Sequence, residues 1–262
     1  MISVVIPSFS RPLNLEQALE SLRSYSKFSN EIIVMTPDPD QGYLSLAKKY
    51  DATVINDQSR QDGRRVKSLW HVLNRGIEAA RQPYVCWLND DCTVLKDWDI
   101  HALNRFSEKE CALVALRTQH VEYGPDFVII KTLYHVPCAN YGVIRKADGL
   151  RFDERFSWFH GDADIALQAE FDLRKRVYET IEPCVIHTHV TDSVRSANEA
   201  DERTRQDWLY LNEKWWNYSK VGALKLHGIP AKIVNTISLF ASRARRVAER
   251  FRTLIPRHKT RG

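Results

Sequence analysis

Three short polar segments contain residue types that could bind a metal ion or move a proton. Asn89-Asp90-Asp91 follows an apolar run, and two adjacent carboxylates repel each other unless a cation or hydrogen-bond donors lie nearby. Asp162 and Asp164 precede a second apolar run, and His187 and His189 close a third. Carboxylates and imidazoles serve as metal ligands and as general bases. The segments therefore indicate a site for a dication or for proton transfer.

Each segment also has an ordinary structural explanation. Asn and Asp are favoured in turns between a strand and a helix, so Asn89-Asp90-Asp91 is equally typical of a turn. Asp162 precedes an apolar helical pattern and could cap that helix. His187 and His189 fit a surface or hydrogen-bonded histidine pair at least as well as a metal site. The residue types alone leave both explanations open.

The elements that must position these segments alternate between strand and helix in the first half of the chain. Short apolar runs predict strands at residues 2–6, 31–35, 52–55 and 84–88. Apolar residues spaced by three and four predict helices from Pro12, over residues 44–50, and after Gly63. This alternation predicts an α/β fold with a Rossmann-like, mostly parallel sheet and helices on both faces.

The second half has a different pattern, with more strand and less helix. Strands are predicted at residues 112–116, 127–130, 132–136, 141–145 and 184–187, and helices from Asp162 and over residues 199–216. We expect one domain over residues 1–220. Its second part, residues 111–220, would fold over the strand ends of its first part, residues 1–110.

Ligands in such sheets bind beyond the carboxyl ends of the strands, near the switch in strand order. That rule selects Pro7-Ser8, Thr36-Pro37-Asp38 and Asn89-Asp90-Asp91, each of which follows a predicted strand. Neither G-x-G-x-x-G nor G-x-x-x-x-G-K-[ST] occurs there. A standard dinucleotide site and a P-loop are therefore excluded.

Composition restricts the class of protein further. The chain has 262 residues, of which 44% are hydrophobic and 27% charged, so it can bury a core. No run approaches eighteen consecutive apolar residues. The five cysteines form no C-x-x-C pair, which favours reduced thiols and a cytoplasmic protein over a disulfide framework or a zinc cage.

The positive charge lies in a C-terminal extension, residues 221–262. Residues 241–262 carry a net +7 and residues 1–240 a net −2, so the body has no basic surface for nucleic acid. The extension has one apolar stripe with arginines on both sides, formed by Ile233, Ile237, Phe240, Ala244, Val247, Phe251 and Leu254. A basic amphipathic helix over residues 231–255 is typical of contact with an anionic membrane, here the inner face of the cell membrane. Packing on the body and homodimerisation are the alternatives.

Taken in order, the segments resemble the family 2 glycosyltransferases, whose A-type nucleotide-sugar transferase (GT-A) fold is of the predicted class. The resemblance covers roughly residues 2–216. The segments that match family motifs are 2–11 and 31–34 (the first two strands), 74–80 (the helix before the metal motif), 84–91 (the D-x-D strand), and 152–154 with 161–164 (the acceptor-side F-D-E … E-D-x-D pattern).

The resemblance implies a role for each matching residue. Asp162 would be the catalytic base, and Asp91 would bind Mn²⁺ or Mg²⁺ together with His187 or His189. The residues implied for donor binding are Pro7, Ser8, Arg11, Thr36, Asp38, Lys67, Asn89, Asp90 and Asp91. Those implied for acceptor binding are Trp158, His160 and Asp164.

The sequence departs from the family pattern at three positions. Asn89 replaces the first Asp of D-x-D, Thr36 replaces the acid that contacts the base, and Leu73 replaces an Arg before the helix Asn. The implied activity is a metal-dependent, inverting transfer of a sugar from a nucleotide diphosphate to a glycan or lipid-linked acceptor of the cell surface. The alternatives are a nucleotidyltransferase and a non-catalytic nucleotide-sugar-binding protein of the same fold. A nucleotidyltransferase would normally carry a Gly-rich loop after the first strand, which residues 7–12 lack.

This chemistry explains why these residue types are needed. A hard dication on oxygen ligands stabilises the leaving diphosphate, which itself supplies several ligands. A carboxylate that takes the proton of the acceptor hydroxyl contributes ~10²–10⁴ in rate. Asp162 at a helix start would be kept ionised by the helix dipole. In-line attack inverts the anomeric centre in one step, without a covalent intermediate.

Overall fold

The computed structural model describes residues 1–61, 64–65, 67–132, 135–188 and 201–215. Its contacts divide the chain into two units, Met1–Leu211 and Asn212–Gly262. Of the second unit, the structure describes only Asn212–Trp215, the end of the last helix. The predicted helix at residues 231–255 and His189 lie outside the described residues, as does Gly63.

The described residues contain six α-helices and eleven strands. The helices are α1 (Pro12–Tyr25), α2 (Gln41–Lys49), α3 (Leu69–Ala79), α4 (Trp98–Arg105), α5 (Gly161–Leu167) and α6 (Asp201–Trp215). The strands are β1 (Ile2–Pro7), β2 (Glu31–Thr36), β3 (Thr53–Asn56), β4 (Arg60–Gln61), β5 (Arg64–Arg65), β6 (Tyr84–Trp87), β7 (Cys92–Val94), β8 (Cys111–His120), β9 (Phe127–Val128), β10 (Gly142–Arg145) and β11 (Arg176–His187).

One nine-stranded sheet runs through the first unit in the order β3-β2-β1-β6-β10-β8-β11-β7, with β9 paired to β8. The first four strands are parallel. β10 runs antiparallel to both β6 and β8, and β7 antiparallel to β11, so the sheet is mixed beyond β6. The order reverses between β1 and β6. Loops after these two strands therefore flank the position where α/β sheets bind ligands.

Alternation along β1 explains why helices cover both faces of the sheet. Val4 and Ile6 belong to the buried apolar cluster that also contains Leu15 and Leu19 of α1 and Trp98 of α4. Successive strand residues point to opposite faces, so Val5 points the other way. There a Cβ built on Gly76 of α3 would lie only 2.2 Å from Val5 Cγ1, which shows how closely α3 approaches the strand.

The predicted α/β class is confirmed, and most predicted elements exist, with β8 and β11 longer than expected. The strand predicted at residues 132–136 is absent from the described residues of that segment. Thr132 N–H donates to the Val136 carbonyl, and His135 has a φ of 61°, in the left-handed region that strands do not use. The strand β7 and the helix α4 were not predicted. Segments of three and eight residues are too short to show a clear periodicity. No helix among the described residues is both long and apolar enough to span a bilayer.

Candidate functional site

Two loops at the switch in strand order are joined by side chains. Ser8 follows β1, and its Oγ donates to Asp90 Oδ2 at 2.7 Å. Arg11, at the start of α1, lies with Nη1 3.4 Å from Asp90 Oδ1. Asp90 is buried, and burial raises its pKa to about 6, with a further contribution from the charge of Asp91. The contacts with Ser8 and Arg11 act in the opposite direction and favour the charged form.

An open cleft lies beside these loops, with about 630 Å³ of empty space when the open solvent at its mouth is included. Of the residues predicted to bind a donor, those that line it are Pro7, Ser8, Arg11, Lys67, Asn89 and Asp90. Trp158, predicted on the acceptor side, lines the same cleft. Basic side chains, buried acids and an indole therefore meet in one concave site, as a polyanionic ligand with a flat ring would require.

Three of the predicted donor-binding residues, Thr36, Asp38 and Asp91, do not line this cleft. Thr36 is buried, and its hydroxyl faces the Asp38 carbonyl at 3.5 Å. Asp38 itself is exposed. Pro37 and Asp57 reach the cleft from this side, and the Asp57 backbone N–H donates to the Thr36 carbonyl at 2.9 Å. The lining of the cleft therefore contains Asp57 in place of Thr36 and Asp38.

Sequence reasoning missed Asp57 and its neighbours. The Asp57 carboxylate accepts the Ser59 N–H at 2.7 Å, and Arg60 stacks 3.7 Å from the centre of the Phe9 ring. All four residues line the cleft. The strand-end rule could have found Asp57, because it follows β3 directly, as Asp90 and Asp91 follow β6 closely.

Asp91 and His187 form the candidate metal centre. Asp91 Oδ1 lies 3.1 Å from His187 Nε2, and both residues are buried. The Asp91 carbonyl accepts the N–H of Thr188 at 3.0 Å and its hydroxyl at 2.9 Å, which joins the β6 loop to the end of β11. An oxygen and an imidazole nitrogen on a rigid frame fit a dication such as Mn²⁺ or Mg²⁺, whose other ligands come from phosphates and water.

Cys92 lies beside this pair because the sheet register brings it there. Cys92 on β7 pairs with His187 on β11, and donor atoms of Asp91, Cys92 and His187 lie within 4.8 Å of one another. Burial raises the pKa of the Cys92 thiol well above its usual range. A neutral thiol is a poor ligand for a hard cation, so Asp91 and His187 are the residues that would hold it.

Asp162, the predicted base, lies at the start of α5. Its Oδ2 accepts the Asn140 amide at 2.8 Å and the Cys138 thiol at 3.3 Å, and its Oδ1 accepts the Ala163 N–H at 2.9 Å. The Asn140 carbonyl in turn accepts the Trp87 indole N–H at 3.1 Å, which anchors this loop to β6. The carboxylate is therefore fixed in orientation by the strand that also carries the metal motif.

The predicted base and the candidate metal centre lie in one electrostatic environment. Burial lowers the pKa of His120 and raises the pKa of Tyr141, and the negative charge of Asp162 makes a smaller contribution that favours the protonated form of both. Both rings pack against His187, each with its centre 5.4 Å from the His187 ring. Tyr141 OH also accepts the Asn89 amide at 3.1 Å, so Asn89 is directed toward Tyr141. These contacts connect every part of the candidate site.

The residues predicted to bind the acceptor lie in different environments around Asp162. Asp164 is fully buried and accepts the Gln168 amide at 2.7 Å, so its side chain is not exposed to a ligand in this structure. His160 precedes α5 in the left-handed region at φ 67°, and burial lowers its pKa. Trp158 is positioned by the segment 157–159, whose three successive N–H groups each donate to Asp207 of α6 at 2.8 Å.

Comparison with known proteins agrees with the α/β fold of this chain. The sequence model described as "Glycosyl transferase family 2" matches residues 3–167, and the chain belongs to that family. A comparison with curated protein sequences finds no match.

Solved structures with the same fold include three glycosyltransferases of low sequence identity. S. aureus TarS 1-349 in complex with UDP-GlcNAc has a TM-score of 0.58 and 15% identity over 75% of this chain and 60% of that one. The mannosyltransferase PcManGT from Pyrobaculum calidifontis, in complex with GDP-Man and Mn²⁺, gives 0.60 and 13% over 82% and 64%. Glucosyl-3-phosphoglycerate synthase from Mycobacterium tuberculosis, with Mg²⁺ and UDP, gives 0.56 and 12% over 81% and 78%. The chain spans about 60% of the length of the TarS chain.

Proposed function

We propose that the protein transfers a sugar from a nucleotide diphosphate to a hydroxyl of a glycan or lipid-linked acceptor, with inversion at the anomeric carbon. The observation that carries the proposal is the buried pair of Asp91 and His187 at the end of β6, one residue from the lining of the cleft. The TarS and PcManGT structures contain UDP-GlcNAc and GDP-Man, which supports a nucleotide-sugar donor here.

The donor would bind in the cleft beside β1 and β6. Arg11 and Lys67 supply positive charge for the diphosphate, and Asp57 and Phe9 line the same cleft. Asp91 and His187 would hold Mn²⁺ or Mg²⁺, which stabilises the negative charge of the leaving diphosphate when bound. Trp158 contributes a flat apolar face that suits a sugar or base ring.

Asp162 would accept the proton of the attacking hydroxyl. Oδ2 of Asp162 already accepts two side-chain donors, whereas Oδ1 accepts one backbone N–H. Since a carboxylate oxygen has two lone pairs, Oδ1 retains the capacity to accept the acceptor hydroxyl. One carboxylate is sufficient, because the acceptor attacks the anomeric carbon directly and the configuration inverts.

Ligand-dependent stabilisation tests the donor half of the proposal. The folded protein is heated with UDP, GDP, ADP or CDP, each with and without Mn²⁺. A ligand at a hundred times its Kd stabilises by about 2.7 kcal/mol, so one nucleotide with Mn²⁺ should raise Tm by several degrees. Asp91→Ala should abolish the metal-dependent part, and Asp38→Asn, outside the cleft, should retain it. Equal stabilisation of the wild type and Asp91→Ala would contradict the proposal.

Product analysis then tests the reaction itself. Incubation with the matching nucleotide sugar and glycan acceptors should release a nucleoside diphosphate. A nucleotidyltransferase would instead release pyrophosphate from a nucleoside triphosphate, and a non-catalytic protein would release neither. Asp162→Asn should bind the donor like the wild type and lose at least about 100-fold in turnover. A change in anomeric configuration from donor to product, observed by NMR, establishes inversion.

A cytoplasmic location at the membrane surface belongs to the same proposal and depends on the sequence of the C-terminal extension. A basic helix over residues 231–255 would place the enzyme at an anionic membrane, where lipid-linked acceptors are found. Co-sedimentation of the full chain with phosphatidylglycerol vesicles should fall as salt rises and should be absent with neutral vesicles. Unchanged sedimentation after replacing the eight Lys and Arg of residues 241–262 by Gln would exclude this role.

A further inference from the structure

A row of three side chains crosses the sheet at the candidate metal centre. His187 on β11 pairs in register with His120 on β8 on one side and with Cys92 on β7 on the other. Paired residues of adjacent strands point to the same face of a sheet. The His187 imidazole is therefore flanked on both sides, by an imidazole and by a thiol.

The two nitrogens of His187 face different partners. Nε2 lies 3.1 Å from Asp91 Oδ1, and Nδ1 lies 3.3 Å from Nδ1 of His120. His120 is buried, with only 5% of its surface exposed. Because His120 meets the side of the His187 ring that points away from Asp91, it is not among the described donor atoms that cluster within 4.8 Å at the centre.

We propose that His120 is a positioning residue of the metal centre, which accepts the Nδ1–H of His187 and so presents the Nε2 lone pair of His187 to the cation. This inference depends on the proposed function, because it requires a cation beside Asp91. A histidine ligand normally donates its second N–H to a neighbouring acceptor, which fixes the ring orientation and the tautomer. His120 provides that acceptor here.

The proton positions follow from the donor and acceptor inventory. With a cation on Nε2 of His187, a neutral His187 ring carries its proton on Nδ1. His120 then accepts through Nδ1 and carries its own proton on Nε2, so each ring holds one proton.

Mn²⁺ affinity measures the effect without any need for turnover. Free Mn²⁺ is followed by electron paramagnetic resonance, with inorganic pyrophosphate added as a diphosphate that has no base. His120→Leu removes the acceptor and should weaken Mn²⁺ binding about 10- to 100-fold. His101→Leu on α4 is the matched control and should bind like the wild type. Wild-type affinity in His120→Leu would overturn the inference.

Two polar variants keep the test valid if His120→Leu fails to fold. The amide oxygen of Asn occupies about the position of imidazole Nδ1, whereas that of Gln lies near Nε2. His120→Asn should therefore stay within about threefold of the wild-type Mn²⁺ affinity, and His120→Gln should lose affinity like His120→Leu. Equal affinities for the Asn and Gln variants would overturn the proposed hydrogen bond.

The tautomers give a second measurement that a purely structural role would not change. Imidazole ¹⁵N spectra of the protein with Mg²⁺ and pyrophosphate should show His187 protonated at Nδ1 and His120 at Nε2. The reverse tautomers would overturn the inference. The variant His187→Ala distinguishes a failure of the proposed metal site from a failure of the proposed role of His120. If it binds Mn²⁺ like the wild type, the proposed metal site fails, whereas loss in His187→Ala with full affinity in His120→Leu contradicts only the role of His120.

Discussion

The hydroxyl of Ser8 donates a hydrogen bond of 2.7 Å to Asp90, and so joins the loops that follow the two strands at the switch in sheet order. Ser8 and Asp90 are 82 residues apart in sequence, yet both are buried in the same wall of the cleft. A donor bound there would contact a wall whose two halves are held at a fixed separation. This preorganisation reduces the entropy lost on binding.

The raised pKa of Asp90 predicts a specific pH dependence of stability. In the folded protein the pKa of Asp90 is about 6, against an ordinary value of 3.8, mainly because the carboxyl is buried. The folded state therefore holds this proton more tightly than the unfolded state, and stability falls as pH rises from about 4 to 6. One pH unit is worth about 1.4 kcal/mol, so the loss amounts to about 3 kcal/mol.

Urea unfolding in EDTA between pH 4 and 7 measures this dependence. In Asp90→Asn the fall in unfolding free energy between pH 4 and 6 should be smaller by about 2 kcal/mol than in the wild type, because the rest of the total effect lies below pH 4 and above pH 6. Asp38→Asn is the control, because Asp38 is exposed, and it should show the wild-type slope. Identical slopes for Asp90→Asn and the wild type would contradict the burial argument.

Orientation of the base predicts a separation of kcat from donor binding. Asn140→Ala removes the amide that lies 2.8 Å from Asp162 Oδ2, while the Asn140 backbone carbonyl still accepts the Trp87 indole. A misdirected carboxylate should lower kcat about 10-fold or more, with the donor Kd unchanged. Asn104→Ala, at an exposed position of α4, should keep both values. Parallel losses in kcat and donor affinity would indicate a different role for Asn140.

The Asp207 carboxylate predicts a large effect on stability. Asp207→Ala leaves the N–H groups of Ser157, Trp158 and Phe159 without their acceptor. The three hydrogen bonds are only part-buried, so their combined loss should lower the free energy of unfolding by about 1–3 kcal/mol. Chemical denaturation checks this, with the exposed Asp126→Ala as a control that should change it by less than about 0.5 kcal/mol.

Close packing of α3 on β1 predicts the result of adding one methyl group. In Gly76→Ala the new Cβ would lie 2.2 Å from Val5 Cγ1, so the helix or the strand must move. Overpacking of this kind costs about 1–3 kcal/mol. Gly42→Ala on α2 is the comparison variant: its Cβ would lie 3.1 Å from Asp40 Oδ1, a looser contact than that of Gly76, so it should cost less than Gly76→Ala. A double variant that adds Val5→Ala should be more stable than the sum of the single changes indicates.

Predictability from sequence followed the strength of each local signal. β1 and β6 were found because continuous apolar runs end in polar residues, and the strand-end rule then identified Ser8 and Asp90. The same rule failed at Thr36 and Asp38, since Thr36 turns into the core and Asp57 reaches the cleft from the next strand. Periodicity gives the side of a strand on which a residue lies but not which of two neighbouring loops approaches a ligand.

Other features depend on tertiary pairing that no local pattern contains. His120 meets His187 because β8 and β11 align in parallel register, although 67 residues separate them in sequence. Asp207 lies in a helix whose sequence predicts only helix, and its three contacts exist because α6 packs beside residues 157–159. Asp164 was misassigned for a related reason, since a short helix does not reveal which of its acids points inward.

The position of β11 determines where a working fragment can be cut. The family match ends at residue 167, whereas His187, Thr188 and Asp207 all come later in the chain. β11 also lies between β8 and β7, so an expression product trimmed to residue 167 would lose the strand that joins them. Such a product would retain the donor-side loops but lack one of the two proposed cation ligands. Its inactivity would result from the truncation and would not show that the full chain is inactive.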